Sequence, residues 1–227
     1  MIRRNISRLE LCTKTLAVRN IPKPTKSLSP SCAIGDRPRE ETAMHFEARF
    51  SAVGGQGIIL AGTIIADAAF LEGLNAAGSP SYTAQVRGGP TKVDVIVDDG
   101  DILFPRTSAI DFFLSLATNS YNLYGKDIKP GSPIVVDPNL VDVPPEHDEL
   151  YKIYRIPIIE LTAKHLGRMV YTSAVALGTM MALTDVVSNE SIRSALKTRA
   201  PKGTEVYNMK ALDVGLHATE ELMASMA

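Results

Sequence analysis

The chain has 227 residues, 45% of them hydrophobic and 22% charged, with 24 Lys and Arg against 25 Asp and Glu for a formal net charge of -1. That balance is globular, and without a basic excess or any Trp it argues against a nucleic-acid binder, which needs cations for phosphates and rings for bases. The longest apolar stretch, Ile58–Ala66, is broken by Gly62 and Thr63 and stopped at Asp67, too short to span a bilayer, so no membrane partner is expected.

Residues 1–43 differ from the rest. They hold nine basic residues, four acids and four prolines (Pro22, Pro24, Pro30, Pro38) that break any long helix. They are read as a disordered extension or as a start assigned upstream of the true one at Met44, which directly precedes the first strand-like segment. The arginines of the first 20 residues, with a single acid, also fit an organelle transit peptide. Both cysteines, Cys12 and Cys32, fall in this segment. The body from residue 44 to 227 therefore has no thiolate to hold an iron–sulfur cluster and no disulfide, and a reducing, cytoplasmic compartment is expected.

From His45 onward strand and helix patterns alternate. Phe46–Val53 reads as a strand running into Gly54-Gly55-Gln56-Gly57, and Ile58 to about Gly73 as a helix with small residues on its packing face. Short strands are predicted near Asn75–Gly78 and over Lys92–Val97, the latter stopped by the turn signal Asp98-Asp99-Gly100. Ile110–Leu116, Pro133–Val136 and Lys152–Ile156 read as buried parallel strands. The C-terminal third is helical over Ile159–Leu166, Thr172–Thr184, Ser191–Thr198 and Asn208–Met223, with an N-cap in Ser188-Asn189-Glu190-Ser191. The expected fold is α/β: a Rossmann-like, mostly parallel, doubly covered sheet with a helical C-terminal third.

The glycine turn sits where a dinucleotide fingerprint would, between the first strand and helix. Ala52 replaces the first glycine of that fingerprint and crowds the turn, and Asn75–Ser79 offers no acid for a ribose. Tight strand-to-helix packing is the preferred reading of these glycines.

The segment Gly78-Ser79-Pro80-Ser81-Tyr82-Thr83-Ala84-Gln85-Val86-Arg87-Gly88-Gly89, with the glycine turn about 25 residues upstream, resembles the gamma subunits of 2-oxoacid:ferredoxin oxidoreductases. Ala174–Gly178 with Ala182-Leu183-Thr184, and Lys202–Glu205 with Asn208–Leu212, agree in order and spacing, so the resemblance covers residues 46–227. Ala52, Thr83 and Gln85 depart from the usual Gly, Gly and Glu and blur the subfamily. The substrate stays open among 2-oxoglutarate, branched-chain or aryl 2-oxoacids, pyruvate and indolepyruvate.

The resemblance implies an enzyme complex that decarboxylates a 2-oxoacid on thiamine diphosphate and Mg2+, passes electrons through iron–sulfur clusters to ferredoxin, and transfers the acyl group to coenzyme A. Alpha-, beta- and delta-type partners would carry thiamine and clusters. This chain would bind none of these cofactors alone and would help close the coenzyme A side of the active site. The alternatives are a beta-type subunit of an indolepyruvate oxidoreductase, a stand-alone dinucleotide-dependent oxidoreductase, and a scaffold subunit. No catalytic or metal-ligating residue is assigned. The candidate cofactor-binding residues are Gly54, Gly55, Gln56, Gly57, Ser81, Tyr82, Arg87, Gly88 and Gly89. Arg87, with a planar guanidinium suited to phosphate or carboxylate, is read as a coenzyme A contact, a subunit contact or a loop anchor. Gln56 is read as holding its loop, and His147, in a Pro- and acid-rich run, as part of a solvated loop. His165 and His217 are read as structural, and the methionines at 180, 181, 209, 223 and 226 as filling core or interface.

Overall fold

Alternation of apolar and polar residues builds β1 over His45–Val53, whose Ala48, Phe50 and Ala52 are buried on one face while Glu47, Arg49 and Ser51 point to the other. The computed structural model describes residues 44–85 and 87–226, so the reading of residues 1–43 lies outside it. The remaining strands are β2 (Asn75–Tyr82), β3 (Pro90–Asp98), β4 (Phe112–Ser115), β5 (Pro133–Val136) and β6 (Lys152–Arg155). They form one six-stranded sheet in the order β2-β3-β1-β4-β5-β6. β1, β4, β5 and β6 pair in parallel, and β3 runs antiparallel to both β1 and β2. The sheet is therefore mostly parallel, with one reversed strand.

Helix α1 (Ile59–Leu71) buries Ala61, Ile64, Ile65 and Ala68, the spacing of one helical face, and joins the principal core with the inward valines of β3. Behind the same face of the sheet lie α4 (Ile158–Leu166), α5 (Thr172–Leu183), α6 (Asn189–Arg199) and α7 (Glu205–Met226). Each fully buried Phe, Leu or Ile in this core contributes about 1.5–3 kcal/mol over an exposed one. Ser188 caps α6, its hydroxyl accepting from the Ser191 N–H at 3.2 Å, where the sequence placed a cap.

The other face is covered more sparsely, with α2 (Thr118–Tyr124) against β1, β3 and β4 and α3 (Pro145–Leu150) against β6. Residues 101–108 also lie over its β2–β3 side. Neither α2 nor α3 was expected. The α2 sequence, TNSYNLY, is too short and polar to show a 3.6-residue period. By sequence the α3 segment, Pro- and acid-rich, reads as a solvated loop. Pro145 at its start and Glu146 and Asp148 in its first turn are the residues that start a helix. His147 packs there between Tyr121 and Tyr151, and its Nδ1 shares a 2.7 Å hydrogen bond with the Tyr121 hydroxyl. Burial pushes the Tyr121 phenol up to about 12, with Tyr151 and Asp148 adding to it, so it stays neutral.

Helices α5 and α7 meet at two glycines. A Cβ on Gly178 would stand 2.1 Å from the Leu212 carbonyl oxygen, and one on Gly215 would stand 2.0 Å from that of Val175. Only hydrogen at these positions lets the two backbones approach so closely.

Candidate functional site

The carboxyl ends of β1, β2, β4 and β5 share one edge of the sheet with the start of β3, and open α/β sheets take ligands at such an edge. The glycine turn Gly54–Gly57 leaves β1 here, with Gly55 at φ 108° and Gly57 at φ 75°. The hairpin loop from 83 to 89 joins β2 to β3 beside it. The Gly54 N–H donates to the Gly89 carbonyl at 2.9 Å, and the Gly88 N–H donates to the Gly54 carbonyl at 3.1 Å. Two candidate segments about 25 residues apart in sequence are thus knitted together by main chain.

Side chains stiffen this edge. Gln56 folds back on its own turn, accepting from the Val53 N–H at 2.9 Å and reaching the Leu116 carbonyl at 3.4 Å. Its amide holds the turn. The Ser173 hydroxyl, from the first turn of α5, donates to the Gly57 carbonyl. Ser120 donates to the Ala52 carbonyl at 2.6 Å. Ala52 itself is a fully buried strand residue, one step before the turn begins, so it does not crowd the turn as its place in the motif suggested. At the end of β5 the buried Asp137 accepts from the Asn139 N–H at 3.0 Å and the Ile159 N–H at 2.9 Å, tying α4 to the edge. Burial raises the Asp137 pKa, the nearby Glu160 adds to that, and the two N–H groups oppose it. The sequence reading missed Ser173, Ser120 and Asp137. Asp137 stands 22 residues before the α4 N–H it accepts from, so no local capping pattern announces it.

The other candidates divide in two. Ser81 and Tyr82 belong to the end of β2, not to a loop, because their segment pairs with Lys92 and Thr91 of β3. Tyr82 is 68% exposed there. Arg87 is exposed on the hairpin and makes no hydrogen bond or ion pair among the described residues. Gly89 is buried beneath it: a Cβ would lie 2.3 Å from the Thr83 hydroxyl and 2.6 Å from the Gln85 carbonyl oxygen.

The topology also bears on the dinucleotide alternative. β3 lies between β1 and β2, so the parallel strand that carries the ribose-binding acid of a dinucleotide fold is not adjacent to β1. Glu72, the acid nearest to that place in sequence, accepts from the Ser188 N–H at 2.7 Å and ties α1 to α6. Among the described residues no three His, Cys, Asp or Glu side chains converge to hold a metal ion, and no helix is long and apolar enough to cross a membrane.

Residues 47–218 match the family model described as pyruvate ferredoxin/flavodoxin oxidoreductase. The chain belongs to this family. Over 187 residues it is 36% identical to the 2-oxoglutarate synthase subunit KorC of Methanocaldococcus jannaschii, an alignment covering 81% of this chain and 99% of the relative. Its fold is similar to that of a keto/oxoacid ferredoxin oxidoreductase gamma subunit from Geobacter sulfurreducens, with a TM-score of 0.71 at 37% identity over 79% of this chain and 99% of the other. A 2-oxoglutarate:ferredoxin oxidoreductase from Magnetococcus marinus, with 2-oxoglutarate, coenzyme A and succinyl-CoA bound, aligns with a TM-score of 0.69 at 25% identity. There the match covers 78% of this chain and 31% of a longer one, so the same fold also occurs as part of a larger family chain.

Proposed function

We propose that this chain is the gamma subunit of a 2-oxoacid:ferredoxin oxidoreductase and completes the coenzyme A side of an active site whose thiamine diphosphate, Mg2+ and iron–sulfur clusters are held by alpha-, beta- and delta-type partners. The observation that carries the reading is near-complete coverage of a gamma subunit and of KorC, 99% of each, by a body whose glycine turn and Arg87 hairpin are hydrogen-bonded into one edge. That edge has hydroxyls, exposed backbone and the Arg87 guanidinium, which has no partner among the described residues, a set suited to gripping a phosphate-bearing substrate. Arg87 would clamp a coenzyme A phosphate, with Ser81 and Tyr82 beside it. Gly54, Gly55, Gln56, Gly57, Gly88 and Gly89 would shape the backbone that receives it. The thiamine chemistry, loss of carbon dioxide from the 2-oxoacid with electrons leaving to ferredoxin, belongs to the partners. The role of this chain is to orient the thiol that takes the acyl group. 2-Oxoglutarate is the substrate to test first, given the KorC relative.

The test is reconstitution of the partner subunits with and without this chain, followed by viologen reduction driven by 2-oxoglutarate and coenzyme A. Activity should require the chain. Equal rates and equal coenzyme A dependence in its absence would end the proposal, and activity with pyruvate alone would redirect the substrate assignment.

A further inference from the structure

The sparsely covered face of the sheet holds a cleft of about 510 Å³, and none of its lining residues belongs to the glycine turn or to the Arg87 hairpin. Its floor is Arg49, whose side chain is 6% exposed in the middle of β1. Every guanidinium direction is engaged. Nε and one terminal nitrogen donate to Asp94 at 2.7 and 3.3 Å, and that same nitrogen donates to the Thr107 hydroxyl at 2.8 Å. The other donates to the carbonyls of Tyr124 and Lys126 at 2.8 and 3.2 Å. Arg49 is therefore a fixed positive floor and not a mobile hand.

Asp94 also accepts from Lys92 and from Thr107, so a single carboxylate serves two cations. Arg106 and Lys126 stand exposed at the rim, and neither side chain makes a hydrogen bond or ion pair among the described residues. Four cations (Arg49, Lys92, Arg106, Lys126) thus face two carboxylates (Asp94 and Asp127), an excess of two positive charges. Phe104, Leu123 and Tyr124 supply apolar walls, and Lys92 lies 5.6 Å from the centre of the Tyr124 ring. One wall contains Asp127 at φ 62°, the only residue other than glycine with positive φ among those described. Such conformations persist where the surroundings over-determine them, and ligand clamps are among those places.

We infer that this cleft binds a small phosphomonoester with an aromatic or apolar body. A phosphate monoester carries roughly two negative charges near neutral pH, which matches the excess. The volume lies in the range of small-molecule sites, about 300–1,000 Å³. Arg106 and Lys126 grip the phosphate from the rim, Lys92 reaches it with the N–H groups that Asp94 leaves free, and the body of the ligand lies against Phe104 and Tyr124. The charge and shape of the cleft do not depend on the oxidoreductase role.

The test is calorimetric titration of the full chain, in buffer free of other phosphates, with inorganic phosphate and with phenyl phosphate. Both should bind saturably, phenyl phosphate the more tightly. The double variant Arg106→Gln, Lys126→Gln should weaken binding on the order of tenfold or more while melting like the parent. Absence of saturable heat, or equal affinity in the double variant, would overturn the inference, as would loss of phenyl phosphate binding in the complex assembled with partner subunits. A parallel titration with coenzyme A separates the two phosphate sources. If the double variant also raises the KM for coenzyme A in the complex, the cleft belongs to that substrate and a separate ligand is ruled out. An unchanged coenzyme A KM beside weakened phenyl phosphate binding supports a separate site.

Discussion

Gly54 and Gly89 face each other where β1 and β3 run out, the Gly54 N–H donating to the Gly89 carbonyl at 2.9 Å while the Gly88 N–H returns to Gly54 at 3.1 Å. The pair extends the antiparallel ladder one step past Val53 and Pro90 and fixes the hairpin that carries Arg87. Gly89→Ala would drive a Cβ into Thr83 and Gln85. Overpacking of this kind costs about 1–3 kcal/mol, and a hairpin relaxes more cheaply than a core. The variant should unfold in urea close to the parent and yet lose coenzyme A-dependent turnover in the complex. Parent-like turnover would show that the hairpin geometry is irrelevant to the reaction.

The buried pair of Arg49 and Asp94 ties the middle of the sheet to the segment around Thr107. Burial raises the Asp94 pKa, but Arg49 and Lys92 outweigh it and hold the carboxyl below its ordinary value of 3.8. A lowered folded pKa adds stability that is full above 3.8 and is lost as pH falls through the folded value. Asp94→Asn strands a buried guanidinium and should cost roughly 3–5 kcal/mol near neutral pH by urea unfolding. The gap between parent and variant should stay constant above that range and narrow on acidification below 3.8. A gap that persists undiminished in acid would mean the charge on Asp94 contributes nothing.

The sheet and its helices were legible because most of their signals are local. Alternation marked β3, continuous apolar runs marked β4 and β5, and Ser188 marked the start of α6. The late signature segments now have a reason: Gly178 must pass within hydrogen-only distance of Leu212, in the stretch Asn208–Leu212, so both segments answer to one helix crossing. What was not legible is non-local. Nothing in Lys92 or Ser81 announces that β3 inserts between β1 and β2, and the polarity of Arg49 and Asp94 makes sense only once they face each other across two strands. Candidate residues were found through the motifs at Gly54 and Arg87, whereas the seryl and aspartyl braces from Ser120, Asp137 and Ser173 came from distant elements and left no spacing to read.

His45 gives a second pH handle, of opposite sign. Its hydrogen bond to Asp98, 2.6 Å from Nδ1, raises its pKa above 6.5, burial opposes this, and Glu47 assists at 3.2 Å. A raised folded pKa contributes stability that is complete below 6.5 and disappears as pH rises through the folded value. The ring is 45% exposed, so solvent screens the pair and the effect is small. His45→Asn should be slightly less stable than the parent on the acid side of 6.5 and should converge with it in mild alkali. A difference independent of pH would assign His45 a packing role only.

Arg87 separates three roles in one variant. If its guanidinium clamps a coenzyme A phosphate, Arg87→Ala should raise the KM for coenzyme A and leave that for the 2-oxoacid nearly unchanged. A lost charge-assisted pair is worth about 1.5–3 kcal/mol, an effect on the order of ten- to a hundredfold. Arg87→Lys should restore only part, since an ammonium keeps the charge without the planar fork. If Arg87 instead binds a partner subunit, the alanine variant should elute from gel filtration as a dissociated chain, and surviving complex should show no coenzyme A defect. If it anchors its own loop, the free subunit should melt lower, an outcome disfavoured by its exposure and lack of partners among the described residues. Kinetics, gel filtration and a melt on the same preparation distinguish these outcomes. A parent-like result in all three would remove Arg87 from the site and leave the backbone of Gly54, Gly88 and Gly89 to account for the edge.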